Sequence, residues 1–431
     1  MKREVLDRIY NSRKNLLVTG DMAVGKTTNV LFPLVDDVIN KEESLLILDP
    51  REEYINKYYN LLKKNNYNVI ILNLKDLDKG DSWNPLSYPY NLYKKQEKDK
   101  ALDYIKSITK EIFGNNANNS DPFWELSVSD LFIGTTLGLF EDGKEEEINL
   151  KSIDFMINGF NVRFGGKNYL ANYFENKDKN SLAYTYAIGT VSSEGNTKLD
   201  IFATFKQRLG AYVFNEKLNM WSSRTTFNFD DILNKKTAIF VIGHNENQYS
   251  NSLVPIFIDQ LFTILFQEKK SNKFNFILDN LDDIDYIINF LEKLSSGPYK
   301  NIKFLIGTRS LECLYDKYSK YLSSLCNIIY VNNKMIKIDI DGYEKKMVNE
   351  YKNNIINNEI IEYPKLDLKP VKYFDLKSFI HEIHIRRLPD VIASSNDIID
   401  KKFNATELIK QIDKKIEELD KKKLGMKNNN K

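Results

Sequence analysis

The chain has 431 residues, 62 basic against 60 acidic side chains, a formal net charge of +2 and 42% hydrophobic content. This composition describes a globular protein of two to three domains with a sizeable core, and the balanced charge excludes a global electrostatic signature for nucleic acid. Cys313 and Cys326 are the only cysteines and have no metal-ligand spacing, which excludes a disulfide framework and fits a reducing compartment.

Met1 to Tyr10 is charged and carries no secretory apolar segment. Asn15 to Val18 is a short apolar run of strand type, and it leads into Gly20, Asp21, Met22, Ala23, Val24, Gly25, Lys26 and Thr27. That stretch, G-D-M-A-V-G-K-T, fits the phosphate-binding loop pattern G-x-x-x-x-G-K-[ST] at every specified position. Thr28 to Ile39 then continues as a helix kinked at Pro33. In such a loop, backbone N–H groups and the helix N-terminus face a polyphosphate. Lys26 is expected to reach the β- and γ-phosphates of ATP, with Thr28 closing the nucleotide-binding set, and Thr27 to offer its hydroxyl to Mg²⁺.

Further strands are expected at Ser44–Leu48, Asn68–Leu72, Thr237–Ile242, Phe274–Leu278, Ile302–Ile306 and Asn327–Tyr330, with helical patterns between them. This alternation predicts a mostly parallel sheet covered by helices on both faces. Between the two blocks, Asp99–Phe113, Phe123–Phe140 and Ile148–Asn158 read as helices. The fold class expected is therefore α/β: a nucleotide-binding core over 1–89 and 198–345, an all-α insertion over 90–197, and a mixed or helical C-terminal extension over 346–431. The α/β pattern stops after about Asp341. Asn404 and Glu407 form a capping-box pair ahead of an amphipathic helix ending near Leu419, and Lys421 to Lys431 reads as a basic tail. The longest apolar region, Val254–Phe266, is broken by Asp259 and Gln260 and is too short to span a bilayer.

The strand Phe274–Leu278 ends in Asp279, the expected partner of Thr27 in holding Mg²⁺; Asp49, at the end of Ser44–Leu48, is the competitor. The next residue, Asn280, carries an amide that cannot accept a proton. His381 and His384 lack the pairing of a zinc helix and His244 stands alone, so no metal site is read from them. Phe123 and Trp124 are expected to pack as buried aromatics.

Several segments in order resemble the conjugative coupling proteins of type IV secretion systems, the TraG/TraD type. After the phosphate-binding loop come D-P-R-E-E at Asp49–Glu53, W-N-P-L at Trp83–Leu86 and D-P-F-W at Asp121–Trp124. T-F-K-Q-R-L at Thr204–Leu209, the strand ending in Asp279, and G-T-R-S at Gly307–Ser310 with Leu314 and Tyr318 complete the series. The resemblance implies a RecA-like P-loop ATPase that assembles into a homo-oligomeric ring, a hexamer, and moves single-stranded DNA with its relaxase into a secretion channel. It implies catalytic roles at Lys26, Asp279, Asn280 and Arg309.

The departures from the family pattern carry expectations too. Its membrane-spanning helices would precede the loop, which here begins at Gly20, so the chain is expected in the cytoplasm and at the membrane only through a partner. Asn280 stands where the family has a water-orienting Glu, Arg309 where it has a sensor Gln, Glu52 where it has a Gly, and Lys300 is the only cation near its arginine-finger position. An FtsK/HerA-type DNA pump and a non-hydrolysing nucleotide-gated receptor are the rival readings.

Overall fold

The computed structural model describes residues 3–114, 122–164, 166–193, 195–243, 248–268, 273–349 and 361–386, together with the isolated position 414. The chain divides into two compact units: Met1–Tyr88 with Phe214–Pro370, and Pro89–Val213 with Val371–Lys431. The boundary expected at 197/198 falls inside a helix, Gly195–Val213, which belongs wholly to the second unit.

The first unit is built on a sheet that has nine strands among the described residues. In chain order these are β1 (Asn15–Thr19), β2 (Ser44–Leu48), β3 (Asn68–Asn73), β4 (Thr237–Ile242), β5 (Phe274–Leu278), β6 (Ile302–Thr308), β7 (Cys326–Val331), β8 (Met335–Ile340) and β9 (Tyr343–Val348). Their spatial order is β9-β8-β7-β1-β6-β5-β2-β4-β3. The seven from β7 to β3 run parallel, while β8 and β9 return antiparallel. Every residue of β1, β2, β4 and β5 is buried, as expected of parallel strands covered on both faces. Helices α1 (Arg3–Asn11), α2 (Phe32–Asn40) and α3 (Glu53–Lys64) contribute Val5, Val35, Val38, Ile55 and Leu62 to the core beside Leu16, Val18 and Ile47.

The strands expected from the sequence form, and the α/β expectation holds. The pair β8–β9 departs from it: the sheet continues past the point where the pattern reads as ending. Its turn is Asp341–Gly342, with φ of 48° and 82°, the Asp-Gly hairpin signal. The kink expected at Pro33 takes the form of a wide π-helical turn over Thr27–Leu31, closed by the Phe32 N–H donating to the Thr27 carbonyl. Proline then occupies the first turn of α2, where its missing N–H costs nothing.

The second unit is mostly helical, with long helices at Lys98–Phe113, Pro122–Asp142, Leu182–Ser192 and Gly195–Val213, and one short two-stranded ribbon. Arg208 of the T-F-K-Q-R-L segment donates to the Phe113 carbonyl at 2.6 Å, tying two of these helices together. Phe123 departs from expectation: it is 49% exposed, and its ring meets Trp124 edge-on with centroids 5.4 Å apart. Asp121, the expected terminal helix after Asn404 and the basic tail lie outside the described residues. No described helix is long and apolar enough to cross a membrane.

W-N-P-L is a clamp within the first unit. The Trp83 indole is fully buried, edge-on to Phe257 at 5.0 Å, and donates to Gln260 Oε1 at 3.1 Å. Gln260 Nε2 donates back to the Pro85 carbonyl at 2.9 Å, and Asn84 Nδ2 donates to the Ser223 carbonyl at 3.1 Å. The Gln260 that interrupts the apolar run is therefore a partner for Trp83. Trp83→Ala is expected to cost about 3–5 kcal/mol, the usual range for emptying a large aromatic site. Urea unfolding should show this as a lowered midpoint; a midpoint equal to that of the native chain would remove the clamp reading.

Candidate functional site

Strand register places the chemistry. Thr19 of β1 pairs with Thr308 of β6, Ile306 with Leu278 of β5, and Leu278 with Leu48 of β2. The carboxyl ends of four parallel strands thus lie in a row, and the phosphate-binding loop, Asp279, Asp49 and Gly307–Ser310 all emerge along that edge. This is the edge at which open α/β sheets bind ligands.

The loop closes tightly against β7. A Cβ at Gly20 would strike the Val331 carbonyl oxygen, so the first glycine is required by backbone approach. Lys26 caps the π-helical turn, and its ammonium donates to the loop's own carbonyls, Gly20 at 2.6 Å and Asp21 at 2.8 Å. Burial pulls the Lys26 ammonium below its ordinary value, while Asp279 and Asp282 act in the opposite direction. Asn349, beyond β9, donates to the Val24 carbonyl at 2.9 Å and accepts from Asn29 Nδ2 at 2.7 Å. It pins the loop from both sides of the Gly-Lys-Thr segment. Met22 stands exposed at the loop's tip.

Asp279 is the hub. Its Oδ2 accepts the Thr27 hydroxyl at 2.8 Å and the buried Tyr54 hydroxyl at 3.0 Å; its Oδ1 accepts the Asn280 backbone N–H at 3.0 Å. Across the sheet, Gly307 makes room for it, because a Cβ there would strike Oδ1. Asp49 has a different job. Its Oδ2 accepts the Ile55 N–H at 2.8 Å in the first turn of α3, and burial raises its carboxyl to about 7. Of the two candidate acids, Asp279 is the one beside Thr27.

The residues that depart from the family pattern have structural explanations. Glu52 has φ of 60°, a left-handed conformation that glycine adopts freely, and its carboxylate is held by Lys75 and Tyr363, each at 2.6 Å. Asn280 has φ of 56° and ψ of 49°, a conformation that Asn tolerates better than most side chains. Arg309 is bound in cis: its backbone N–H donates to Asp282 Oδ2 at 2.7 Å and its guanidinium to Asp283 Oδ1 at 2.6 Å. Asp282 also accepts the Thr308 hydroxyl at 2.6 Å, so both of its oxygens are occupied. Lys300 precedes β6, whose span from Ile302 to Thr308 is roughly 20 Å at the usual strand rise, and so lies at the other edge of the sheet.

One acid near the centre is not consumed in this way. Glu53 opens α3 and is 3.9 Å from Arg51. Burial raises its carboxyl, Arg51 works against that rise and the Asp279 charge adds to it. Tyr54, Glu53 and Asn349 are contributors that motifs do not select; Glu53 alone has a signal, as the last residue of D-P-R-E-E. Of the histidines, His381 is buried with its Nε2 at 2.9 Å from the Tyr169 hydroxyl, and His244 lies outside the described residues.

The donor set suits a hard divalent cation with a phosphate. A hydroxyl and a carboxylate sit together, and among the described residues no group of three or more His, Cys, Asp or Glu side chains forms a separate metal cluster. Magnesium is characteristically held in this way, by one or two protein oxygens with water and phosphate supplying the rest.

Fold and site together define a RecA-like P-loop α/β protein. The chain belongs to the family of type IV secretory system conjugative DNA transfer proteins, whose profile matches residues 10–334. Among solved structures, it is similar to the bacterial conjugative coupling protein TrwBdeltaN70 in complex with sulphate, with 12% identity, a TM-score of 0.55 and coverage of 87% of this chain and 88% of that one. The plasmid coupling protein TrwB in complex with the non-hydrolysable ATP analogue ADPNP matches at 14% identity and TM-score 0.55, over 85% of this chain and 87% of that one. TrwB in complex with ADP and Mg²⁺ matches at 14% and 0.54, over 88% of both. No curated protein matches the chain. The coupling-protein resemblance drawn from the motifs is borne out.

The position of Asp49 yields a pH prediction. Its carboxyl is raised on folding, so the stability it contributes is fully present below about 3.8 and is lost as pH rises through about 7. Asp49→Asn keeps an acceptor for Ile55 without the charge. Thermal melts should show the variant more stable than the native chain above about pH 7, with the advantage vanishing below about pH 3.8. A pH-independent difference would contradict burial as the cause.

Proposed function

We propose that this chain is the ATP-binding coupling component of a conjugative type IV secretion system, linking a nucleoprotein or protein substrate to the transfer channel. The observation that carries this is the Thr27–Asp279 pair beside an intact phosphate-binding loop, in a chain of the conjugative DNA transfer family. Lys26 and the N–H groups of Gly20–Thr28 hold the phosphates, and Thr27 and Asp279 hold Mg²⁺. The cation supplies charge neutralisation at the phosphates; the protein's part is to orient and shield them. The working form is a homo-oligomeric ring handling single-stranded DNA with its relaxase, recruited to the membrane by a partner. Loss of nucleotide binding tests the phosphate site directly: Lys26→Ala should bind a fluorescent ATP analogue at least about tenfold more weakly while its melting temperature stays near the native value. Undiminished affinity in a folded variant would sink the assignment.

The hydrolytic side is altered in a definite direction. Asn280 cannot take a proton from water, and Arg309 is committed to Asp282 and Asp283. A non-hydrolysing receptor draws support from the same features. Residual turnover falls to Glu53, an acid beside Arg51 whose carboxyl burial raises above its ordinary value. The expected phenotype is firm MgATP binding with slow hydrolysis. Glu53→Gln should abolish that remaining turnover without weakening binding. Asn280→Glu should raise turnover by about tenfold or more if the rest of the geometry is competent. It should also lower stability by roughly 1 kcal/mol, because a left-handed position accepts Glu less readily than Asn. Single-stranded-DNA-stimulated phosphate release is the measurement. Brisk hydrolysis that survives Glu53→Gln would refute this division of roles.

A further inference from the structure

Of the three donors that meet Asp279, Tyr54 is the one that comes from neither the phosphate-binding loop nor the acid's own turn. It is the second residue of α3 and is only 2% exposed. Its hydroxyl donates to Asp279 Oδ2 at 3.0 Å, the same oxygen that accepts the Thr27 hydroxyl at 2.8 Å. Two hydroxyls on one carboxylate oxygen fill its two lone-pair positions, and Oδ1 takes the Asn280 N–H at 3.0 Å. So deeply buried, the phenol does not reach a nucleotide itself; whatever it does at the site it does through the carboxylate.

The fold aims this hydroxyl. Leu48 of β2 pairs with Leu278 of β5, so the chain leaving β2 starts α3 beside the end of β5. Asp49 Oδ2 accepts the Ile55 N–H at 2.8 Å and fixes the first turn of that helix. The Tyr54 ring stands edge-on to Phe32, with centroids 5.0 Å apart at 87°, and Phe32 closes the π-helical turn that begins at Thr27. Burial, and then the Asp279 charge, hold the Tyr54 hydroxyl well above its ordinary pKa, so its hydrogen stays in place and the group remains a donor.

We propose that Tyr54 is a positioning residue for the Mg²⁺-nucleotide site, fixing Asp279 so that its Oδ2 in turn orients the Thr27 hydroxyl. A threonine hydroxyl offers a lone pair to a cation only while its hydrogen points elsewhere, and Asp279 Oδ2 is where it points. The terminal torsion of an aspartate is broad, and without the phenol it is held by one hydroxyl and one main-chain N–H. Partners that orient a metal ligand from behind commonly contribute about 10–100-fold in metal affinity. The inference rests on the assignment of Thr27 and Asp279 to Mg²⁺ made above.

The test is Tyr54→Phe in the full chain, which keeps the ring against Phe32 and removes only the hydroxyl. Binding of a fluorescent ATP analogue is followed in EDTA and then across a Mg²⁺ titration, with a thermal melt of each preparation. The Mg²⁺ concentration that gives half of the cation-dependent change should rise about tenfold, while affinity in EDTA stays near that of the native chain. Tyr58→Phe is the control for losing a buried hydroxyl as such. Tyr58 lies one turn further along α3, is also edge-on to Phe32, at 5.8 Å, and donates to the Phe32 carbonyl at 3.0 Å. That variant should lower the melting temperature and leave the Mg²⁺ midpoint where it was. An equal shift in both variants would assign the effect to packing and overturn the proposal. An unchanged midpoint in folded Tyr54→Phe would overturn it too, as would a lower one, which would mean that the hydroxyl competes with the cation for Oδ2. A native chain whose analogue binding ignores Mg²⁺ would instead overturn the metal assignment on which the proposal rests.

Discussion

The site depends on how one carboxylate is held. Asp279 meets three donors, the Thr27 and Tyr54 hydroxyls and the Asn280 N–H, and a glycine at 307 leaves space for it. A buried carboxylate is tolerable only with such compensation, since an unpaired charge in that position would neutralise or destabilise the fold. Each partner comes from a different element: the phosphate-binding loop, α3, the turn after β5 and the strand β6. Parallel register brings these four together, because it aligns the carboxyl ends of β1, β6, β5 and β2 without regard to their distance in sequence. Satisfying one acid therefore constrains much of the architecture around it.

Backbone conformation explains why certain motif positions look altered. Glu52 and Asn280 both occupy left-handed positions next to strand ends, at φ of 60° and 56°. At Glu52 the cost is offset by ion pairing to Lys75 and a hydrogen bond from Tyr363. At Asn280 the residue itself suits the conformation, so an amide satisfies the turn after Asp279 while giving up a proton acceptor. Local geometry and hydrolytic chemistry ask for different side chains at this position. This chain has the one the backbone prefers.

Much of this was legible in the sequence, for identifiable reasons. The loop G-D-M-A-V-G-K-T is a contiguous motif, and the apolar runs of β1, β2, β4 and β5 are buried along their whole length, so both leave strong local signals. Asp279 was readable because it ends such a run. What escaped was non-local or camouflaged. Tyr54 and Asn349 act through hydrogen bonds across 225 and 325 residues, to Asp279 and Val24, which no periodicity announces. The β8–β9 hairpin is hidden because its strands alternate apolar and charged residues, as in M-I-K-I-D-I, unlike the continuous apolar runs of the buried parallel strands; the Asp341–Gly342 turn is its one local signal. The exposure of Phe123 could not be read from residue type, because aromatic side chains are usually core.

A parallel sheet also has two chemically different ends. In the first unit, the carboxyl ends of the strands gather acids, Asp49, Asp279, Asp282 and Asp283, around Lys26 of the loop, with Arg309 paired to two of them. The amino ends gather cations around a cleft with no lining acid among the described residues. The acids at 279, 282 and 283 cluster in the sequence, whereas the basic grouping does not, since Arg13, Lys14, Lys273 and Lys303 are separated by up to 290 residues, from position 13 to position 303. The strands that connect the two edges are largely buried and hydrogen-bonded on both sides, which makes them stiff members and poor candidates for movement. The polar attachments lie at either end. These include the loop held by Asn349, the Arg309 side chain held by two aspartates, and the exposed Arg13 and Lys14 at the mouth of the cleft. The sheet is thus the frame that fixes these polar contacts at its two edges.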